Sequence, residues 1–155
     1  MLNFLPCLYA FCACIGFCIV FEVHSMKFIL AASSSGAAAW FVYILLNGRM
    51  SEAGRCFIAT LVAAVISEIL ARIFKTPATI FLIVGIIPLV PGGGLYDTMD
   101  FLLKGDTRMF EIQGIRTVGS AIAIAVGCSL VTSIVRIKNY KKSVTFVTDK
   151  GKKIS

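Results

Sequence analysis

Uncharged stretches as long as a bilayer is thick constrain this chain more than any other feature of its sequence. Residues 2–21 and 28–46 contain no charged side chain, and residues 56–74 and 115–135 contain three between them. A helix of about twenty apolar residues crosses the ~30 Å hydrocarbon core of a membrane. A soluble domain could not bury so much apolar surface when only 15% of its residues are charged. The sequence therefore predicts an all-α, polytopic transmembrane helical bundle with about five spans.

The spans belong to a single domain. We predict a transmembrane domain over residues 1–138 and a basic, mobile tail over residues 139–155. The spans are expected at about residues 2–21, 28–46, 56–74, 78–103 and 115–135, with the fourth broken at 88–94. Seven of the fifteen Lys and Arg residues lie between Arg136 and Lys153. Basic flanks of membrane spans stay on the cytoplasmic side, so we expect a cytoplasmic tail. When the tail is left out, the count of Lys and Arg residues on the two sides of the membrane favours the opposite orientation.

Several other kinds of protein are disfavoured by the same sequence. A basic tail without a folded basic domain does not predict nucleic-acid binding, and contact with membrane lipid is its simpler role. The six cysteines form no CxxC pair and His24 is the only histidine, so we predict neither a metal site nor a cofactor. We interpret the cysteines as small, buried apolar residues. Because no nucleophile is paired with a base, the chain is not expected to be an enzyme.

The third span carries two charges in its interior. Glu68 lies about six residues from the nearer end of the apolar run, and Arg72 follows four residues later. Residues four apart share a helix face, so these side chains could form an ion pair. Arg72 could instead extend to the membrane interface beside Lys75. Since a charge at this depth normally faces the protein interior or a water-filled cavity, Glu68 is either part of a structural ion pair or a group that binds substrate or carries a proton.

The fourth region is too short and too irregular for a continuous span. Residues 78–89 are apolar but would reach only about 20 Å as a helix. Pro88 and Pro91 lack a backbone donor, and three glycines, Gly92–Gly94, disfavour continued helix. We therefore predict a broken helix whose second half begins near Leu95, with free N–H groups directed at the Pro-Gly segment. A short span followed by an exposed loop and an interfacial helix is the alternative.

Small residues recur at four-residue spacing in two spans. Ala32 and Gly36 lie in the second span, and the fifth contains Gly119, Ala123 and Gly127. Such spacing lets helix backbones approach closely. The neighbouring Ser33–Ser35 run could line a polar cavity, but we favour packing against another helix.

The broken region and its flanks also carry a resemblance. The segments are RIFKTPAT from Arg72, GIIPLVPGGGLYDTM from Gly85 and KGD from Lys104. They resemble the threonine/serine exporter family, and more narrowly its second, C-terminal membrane half. The Pro-Leu-Val-Pro-Gly run followed by Tyr96 is the most specific part, and the similarity covers most of residues 1–138.

Membership of that family implies a transport function. Its two halves occur either fused or as separate chains, so the resemblance implies a hetero-oligomer with a chain that supplies the N-terminal half; a homo-oligomer is the alternative. It also implies a multi-pass protein of the bacterial plasma membrane that exports small amino acids of the threonine/serine type, driven by an ion or proton gradient. Split members are associated with the export of dicarboxylates.

A zwitterionic substrate would need a site for its carboxylate and another for its ammonium group. We expect the carboxylate at the start of the second half-helix and the ammonium group at an aspartate beyond it. The candidate substrate site therefore comprises Gly92, Gly93, Gly94, Tyr96, Asp97 and Asp100. Glu68, with Arg72 beside it, is the candidate for proton or ion coupling. The alternative is a structural subunit whose partner binds the substrate, in which case the break would be a packing kink.

Overall fold

The computed structural model of the chain describes residues 5–23 and 25–152, with side chains as far as residue 138. Residues 2–4 of the predicted first span, His24, and residues 153–155 of the predicted tail lie outside the described residues. Within the described ranges every regular element is helical, which confirms the predicted all-α fold. The elements are α1 (Leu5–Val20), α2 (Met26–Leu45), α3 (Glu52–Phe74), α4 (Ala78–Ile86), a 3-10 turn (Ile87–Leu89), α5 (Gly92–Leu103) and α6 (Thr107–Lys152).

The helix lengths agree with a bundle of about five spans. Three helices are long and apolar enough to cross a membrane: α2, α3 and the part of α6 up to Lys138. α4 with its 3-10 turn and α5 meet the same criterion as a pair, bent by 44° at a short break. α1 is a shorter apolar helix of 16 residues. Because α6 continues to Lys152, the tail predicted from residue 139 begins within a helix, and its mobility stays a prediction.

The packing of α3 on α6 shows that the broken pair crosses the bundle once. Residues 51–55, at the start of α3, lie beside residues 115–119 of α6, whereas Thr60 packs on Gly127. Residue numbers rise together along the two helices, so α3 and α6 are parallel.

α5 is antiparallel to α6, since Gly94 lies against Thr117 and Gly114 near Thr98. α4 is antiparallel to α3 in turn, so α4 and α5 run in the same sense and form one bent crossing rather than a re-entrant loop.

Local signals at the helix ends explain where α3 and α6 begin and end. The Ser51 side chain accepts a hydrogen bond from the N–H of Gly54 and caps α3. Lys75 ends the same helix in the left-handed conformation (φ 53°). At the start of α6, Asp106 Oδ1 accepts a hydrogen bond from the N–H of Met109 at 3.1 Å. Each turn therefore satisfies backbone groups that the helix itself leaves free.

Small residues bring the helices together at their closest contacts. A Cβ added to Gly36 would lie 2.5 Å from Cys14 Sγ and 3.5 Å from Pro88, and one added to Gly127 would lie 3.2 Å from Thr60. The predicted packing role of these two glycines is confirmed. Gly119 differs, because a Cβ there would meet no atom within 4 Å; this end of the stripe in α6 faces open space.

The serines of α2 pack as the sequence suggested. Ser33 and Ser35 are fully buried, whereas Ser34 is exposed. The Ser35 hydroxyl donates to the carbonyl of Ala32 at 2.8 Å and lies 3.5 Å from the carbonyl of Phe81 on α4. Ser35 therefore joins two helices, and the packing interpretation is confirmed for this residue.

The glycine contacts predict opposite outcomes for the same substitution at two positions. Gly36→Val places a side chain into Cys14 and Pro88, whereas Gly16→Val extends into open space. Overpacking costs about 1–3 kcal/mol, so we expect Gly36→Val to lower the unfolding temperature by roughly 5 °C relative to Gly16→Val. Thermal unfolding in detergent, followed by circular dichroism, measures both. Equal unfolding temperatures would contradict the close approach at Gly36.

Candidate functional site

The break in the fourth span begins with a carbonyl group that proline leaves without its helical partner. In a continuous helix the Val84 carbonyl would accept from the N–H of residue 88, but Pro88 has none. The Cys14 thiol, on α1, lies 3.5 Å from the Val84 carbonyl oxygen and donates to it instead. Cys14 is fully buried. A side chain from another helix thus satisfies the carbonyl that Pro88 frees.

The second half-helix begins earlier than the sequence predicted. We expected it to start near Leu95, but α5 begins at Gly92, with Pro91 as its N-cap. The first N–H groups of any helix need no intrahelical acceptor, so Pro91 costs nothing there and the glycines bear only an entropic penalty. The prediction of a break at 88–94 is therefore corrected to residues 87–91, and Gly92–Gly94 form the first turn of α5.

The start of α5 is open and carries unsatisfied donors. No side chain caps it, and a Cβ added to Gly92 or Gly93 would meet nothing within 4 Å. The N–H of Gly92 bonds the carbonyl of Val90 at 2.7 Å. The N–H groups of Gly93 and Gly94 have no acceptor among the residues that the structure describes. Such a helix start favours a negative charge.

The acidic residues of α5 differ in their surroundings. Asp97 is exposed, and among the described residues it forms no ion pair or hydrogen bond. Asp100 is paired with Lys104 one turn later. Tyr96 is 73% exposed, and α5 contains no buried residue. Of the two aspartates, Asp97 is the one available to a ligand.

Glu68 and Arg72 do not form the ion pair that their spacing allowed. Within the described part of the chain, the single ion pair is Asp100–Lys104. Arg72 is exposed and Glu68 half-buried, because Ser67 and Ala71 occupy the buried face of α3. The ion-pair interpretation is wrong, and a substrate or proton role for Glu68 stays a prediction.

The two groups of candidate residues lie apart. Ser67, next to Glu68, faces Gly85 on α4. The start of α5 lies seven residues further along the chain, roughly 10 Å away along the bundle. Glu68 and the open start of α5 therefore form two separate positions.

A charged cavity that the sequence did not predict lies between α3 and α6. Its volume is about 420 Å³. The lining residues come from the start of α3 and from one face of α6: Ser51, Glu52, Ala53, Arg55, Ile115, Arg116 and Gly119. The Arg55 guanidinium donates to Asn47 Oδ1 at 2.8 Å and lies 4.7 Å from the centre of the Tyr43 ring. The relevant signal, an arginine at one end of each of two parallel spans, is visible only once the packing is known.

Comparison with known protein families found a match. A protein-family model described as Threonine/Serine exporter, ThrE, matches residues 6–134. No curated protein and no solved structure matches the chain. The family match confirms the resemblance carried by the broken region, and it extends over α1 and most of α6.

The contact between Cys14 and the break predicts a coupling between two positions. Cys14→Ala should destabilise the chain by about 1 kcal/mol, because the Val84 carbonyl loses its donor. In a Pro88→Ala background the same change should cost much less, since residue 88 then supplies an N–H. A double-mutant cycle of unfolding free energies measures the difference. Additive effects would show that the thiol does not satisfy this carbonyl.

Proposed function

The chain belongs to the threonine/serine exporter family, and from that premise we propose that it is a subunit of a secondary transporter that exports small amino acids of the threonine/serine type. The observation that supports this most is the broken fourth span. Irregular backbone at membrane depth persists where it is buried in protein or lines a cavity. Transporters use such broken helices to bind substrate and coupling ions.

The open start of α5 fits one end of a zwitterionic amino acid. The N–H groups of Gly93 and Gly94 have no acceptor in the described structure and would bind a carboxylate. Asp97 lies one turn beyond Gly93 on the same helix face and would bind the ammonium group. Asp100 contributes less, because Lys104 already neutralises it. Tyr96, next to Asp97, would contact the substrate side chain.

Glu68 is our candidate for coupling transport to a proton gradient. Its half-buried carboxyl group lies within α3 without a cationic partner among the described residues. Carboxyl groups inside membrane spans normally face the protein interior or a water-filled cavity, and in transporters they form part of proton pathways. Arg72 lies one turn later and is exposed.

A partner chain would complete the site. α5 contains no buried residue, and its apolar side chains Leu95 and Leu103 are 56% and 87% exposed. We propose that a chain carrying the N-terminal half of the family covers this helix. A homo-oligomer would be the alternative arrangement. The complex would lie in the bacterial plasma membrane with the C-terminal tail in the cytoplasm.

The same exposure of α5 supports a second candidate function. If the partner alone binds the substrate, the chain is a structural subunit of an exporter, for amino acids or for small dicarboxylates. The open start of α5 would then contact the partner. A photoreactive threonine analogue distinguishes the two cases. If this chain is a structural subunit, the analogue would label the partner and not this chain.

Export measurements test the site on α5 and the role of Glu68. In inverted vesicles that contain this chain and its partner, we expect Asp97→Asn and Glu68→Gln each to lower the rate of radiolabelled threonine transport at least tenfold. Glu111→Gln removes the same charge from the exposed face of α6 and should leave the rate unchanged. If both Asp97→Asn and Glu68→Gln transport at the wild-type rate, this site model is wrong.

Co-expression tests the partner. We expect this chain, tagged at its C-terminus, to purify in mild detergent with a co-expressed chain of the N-terminal half at a fixed ratio, and to transport threonine only with that chain. Transport by the tagged chain alone in proteoliposomes would support the homo-oligomer instead.

A further inference from the structure

The cavity between α3 and α6 contains charged groups that do not neutralise one another. Arg55, Arg116 and Glu52 all line it. No ion pair within 4.0 Å links Glu52 to either arginine in the described structure. Opposite charges that line one cavity could pair with each other. Here they remain apart, around a volume of about 420 Å³.

Arg55 is held in place by two neighbours, but its Nε–H group lacks an acceptor in the part of the chain that the structure describes. Asn47 accepts one of its N–H groups, and Tyr43 lies beneath its guanidinium plane. Its Nε atom is buried and has no hydrogen-bond partner among the described residues. A guanidinium binds a carboxylate through two parallel hydrogen bonds. A bound carboxylate would provide the acceptor that Arg55 lacks.

The start of α3 adds backbone donors to the same cavity. Ser51 caps the N–H of Gly54, which leaves the N–H groups of Glu52 and Ala53 without an acceptor in the described residues. Both of these residues line the cavity. The positive end of the α3 dipole therefore reinforces the field of the two arginines.

Gly119 lines the cavity and has free space beside it. A side chain at Gly127, two turns further along α6, would collide with Thr60, but one at Gly119 would meet nothing within 4 Å. A side chain at Gly127 would therefore meet α3, whereas one at Gly119 would enter free space. The space beside Gly119 is large enough for a small organic acid.

We propose that this cavity binds the exported amino acid. Arg55, Arg116 and the start of α3 bind its carboxylate, and Glu52 binds its ammonium group. This assignment rests on the proposed export function for the identity of the ligand. The site is distinct from the start of α5, because Gly94 contacts α6 at Thr117, about 100° around the helix from Arg116.

The position of the cavity suggests when the substrate would occupy it. α6 runs from the cavity, at Arg116, to Lys138 at the opposite end of its membrane-spanning part. With the tail in the cytoplasm, the cavity lies at the outer end of the bundle. It is then the last site that the amino acid occupies before release.

The single tryptophan provides a built-in probe of binding. Trp40 stacks on Tyr43 with ring centres 5.1 Å apart, and Tyr43 contacts Arg55. A ligand that binds Arg55 should therefore change the fluorescence emission of Trp40. Titration of the purified full-length chain with L-threonine gives the affinity. Threoninol, which has no carboxylate, is the matched ligand control.

Three variants test the assignment. Arg116→Gln should weaken threonine binding at least tenfold, because one charged hydrogen-bond donor is lost. Gly119→Leu should abolish binding by filling the cavity. Arg108→Gln, which removes an exposed charge from the same helix outside the cavity, should bind as the wild type does. Circular dichroism of each variant shows whether it is folded.

Several results would overturn the proposal. These are a wild-type chain that gives no saturable response, threoninol that binds as well as threonine, or Arg116→Gln that binds normally. The arginines could instead bind a lipid headgroup. If phosphatidylglycerol in nanodiscs displaces threonine with the same dependence on Arg116, the site is a lipid site and the proposal fails.

Export data separate this proposal from the one on which it rests. If Arg116→Gln and Gly119→Leu export threonine at the wild-type rate, the cavity assignment is wrong and the transport function stands. If the wild-type complex exports no amino acid, the transport function is wrong, whatever the cavity binds.

Discussion

Lipid offers no hydrogen-bond partner to a backbone amide or carbonyl group, and the rest of this structure depends on how the chain meets that requirement. α2 and α3 meet it as continuous helices. The fourth span cannot, because Pro88 removes the donor that Val84 would use. The thiol of Cys14 takes its place at 3.5 Å. α1 is therefore more than a further apolar helix, since it supplies the group that allows a neighbouring span to break inside the bundle.

The packing around the break follows from the same requirement. A thiol is short, so α1 reaches the Val84 carbonyl only because Gly36 lets the helices approach. Before the break, Phe28, Phe74 and Phe81 pack with ring centres 5.1–6.2 Å apart and fix α4 against α2 and α3. After the break, α5 has no buried residue and packs chiefly on α6. The break thus separates a firmly packed half-helix from one that a single helix supports.

The sequence predicted what depends on length and local chemistry. Apolar runs of bilayer length predicted the helices, and the prolines predicted the break. The start of α5 was misplaced because the glycines were treated as helix interior, whereas a first turn needs no intrahelical acceptors. The four-residue spacing of Glu68 and Arg72 made an ion pair possible, but Ser67 and Ala71 cover the buried face instead. Contacts such as Cys14 with Val84, 70 residues apart, leave no local pattern in a sequence.

The charges of the cavity also bear on which substrate class it would accept. A dicarboxylate could pair with Arg55 and Arg116 together, but Glu52 would then lie near two further negative charges with no cation of its own. An amino acid offers one carboxylate to the arginines and an ammonium group to Glu52. Since an unpaired like charge in a partly buried site is strongly unfavourable, Glu52 would favour zwitterions over dicarboxylates in the proposed site. It also moderates the attraction of the arginines for a carboxylate, which suits a site from which an exporter must release its substrate.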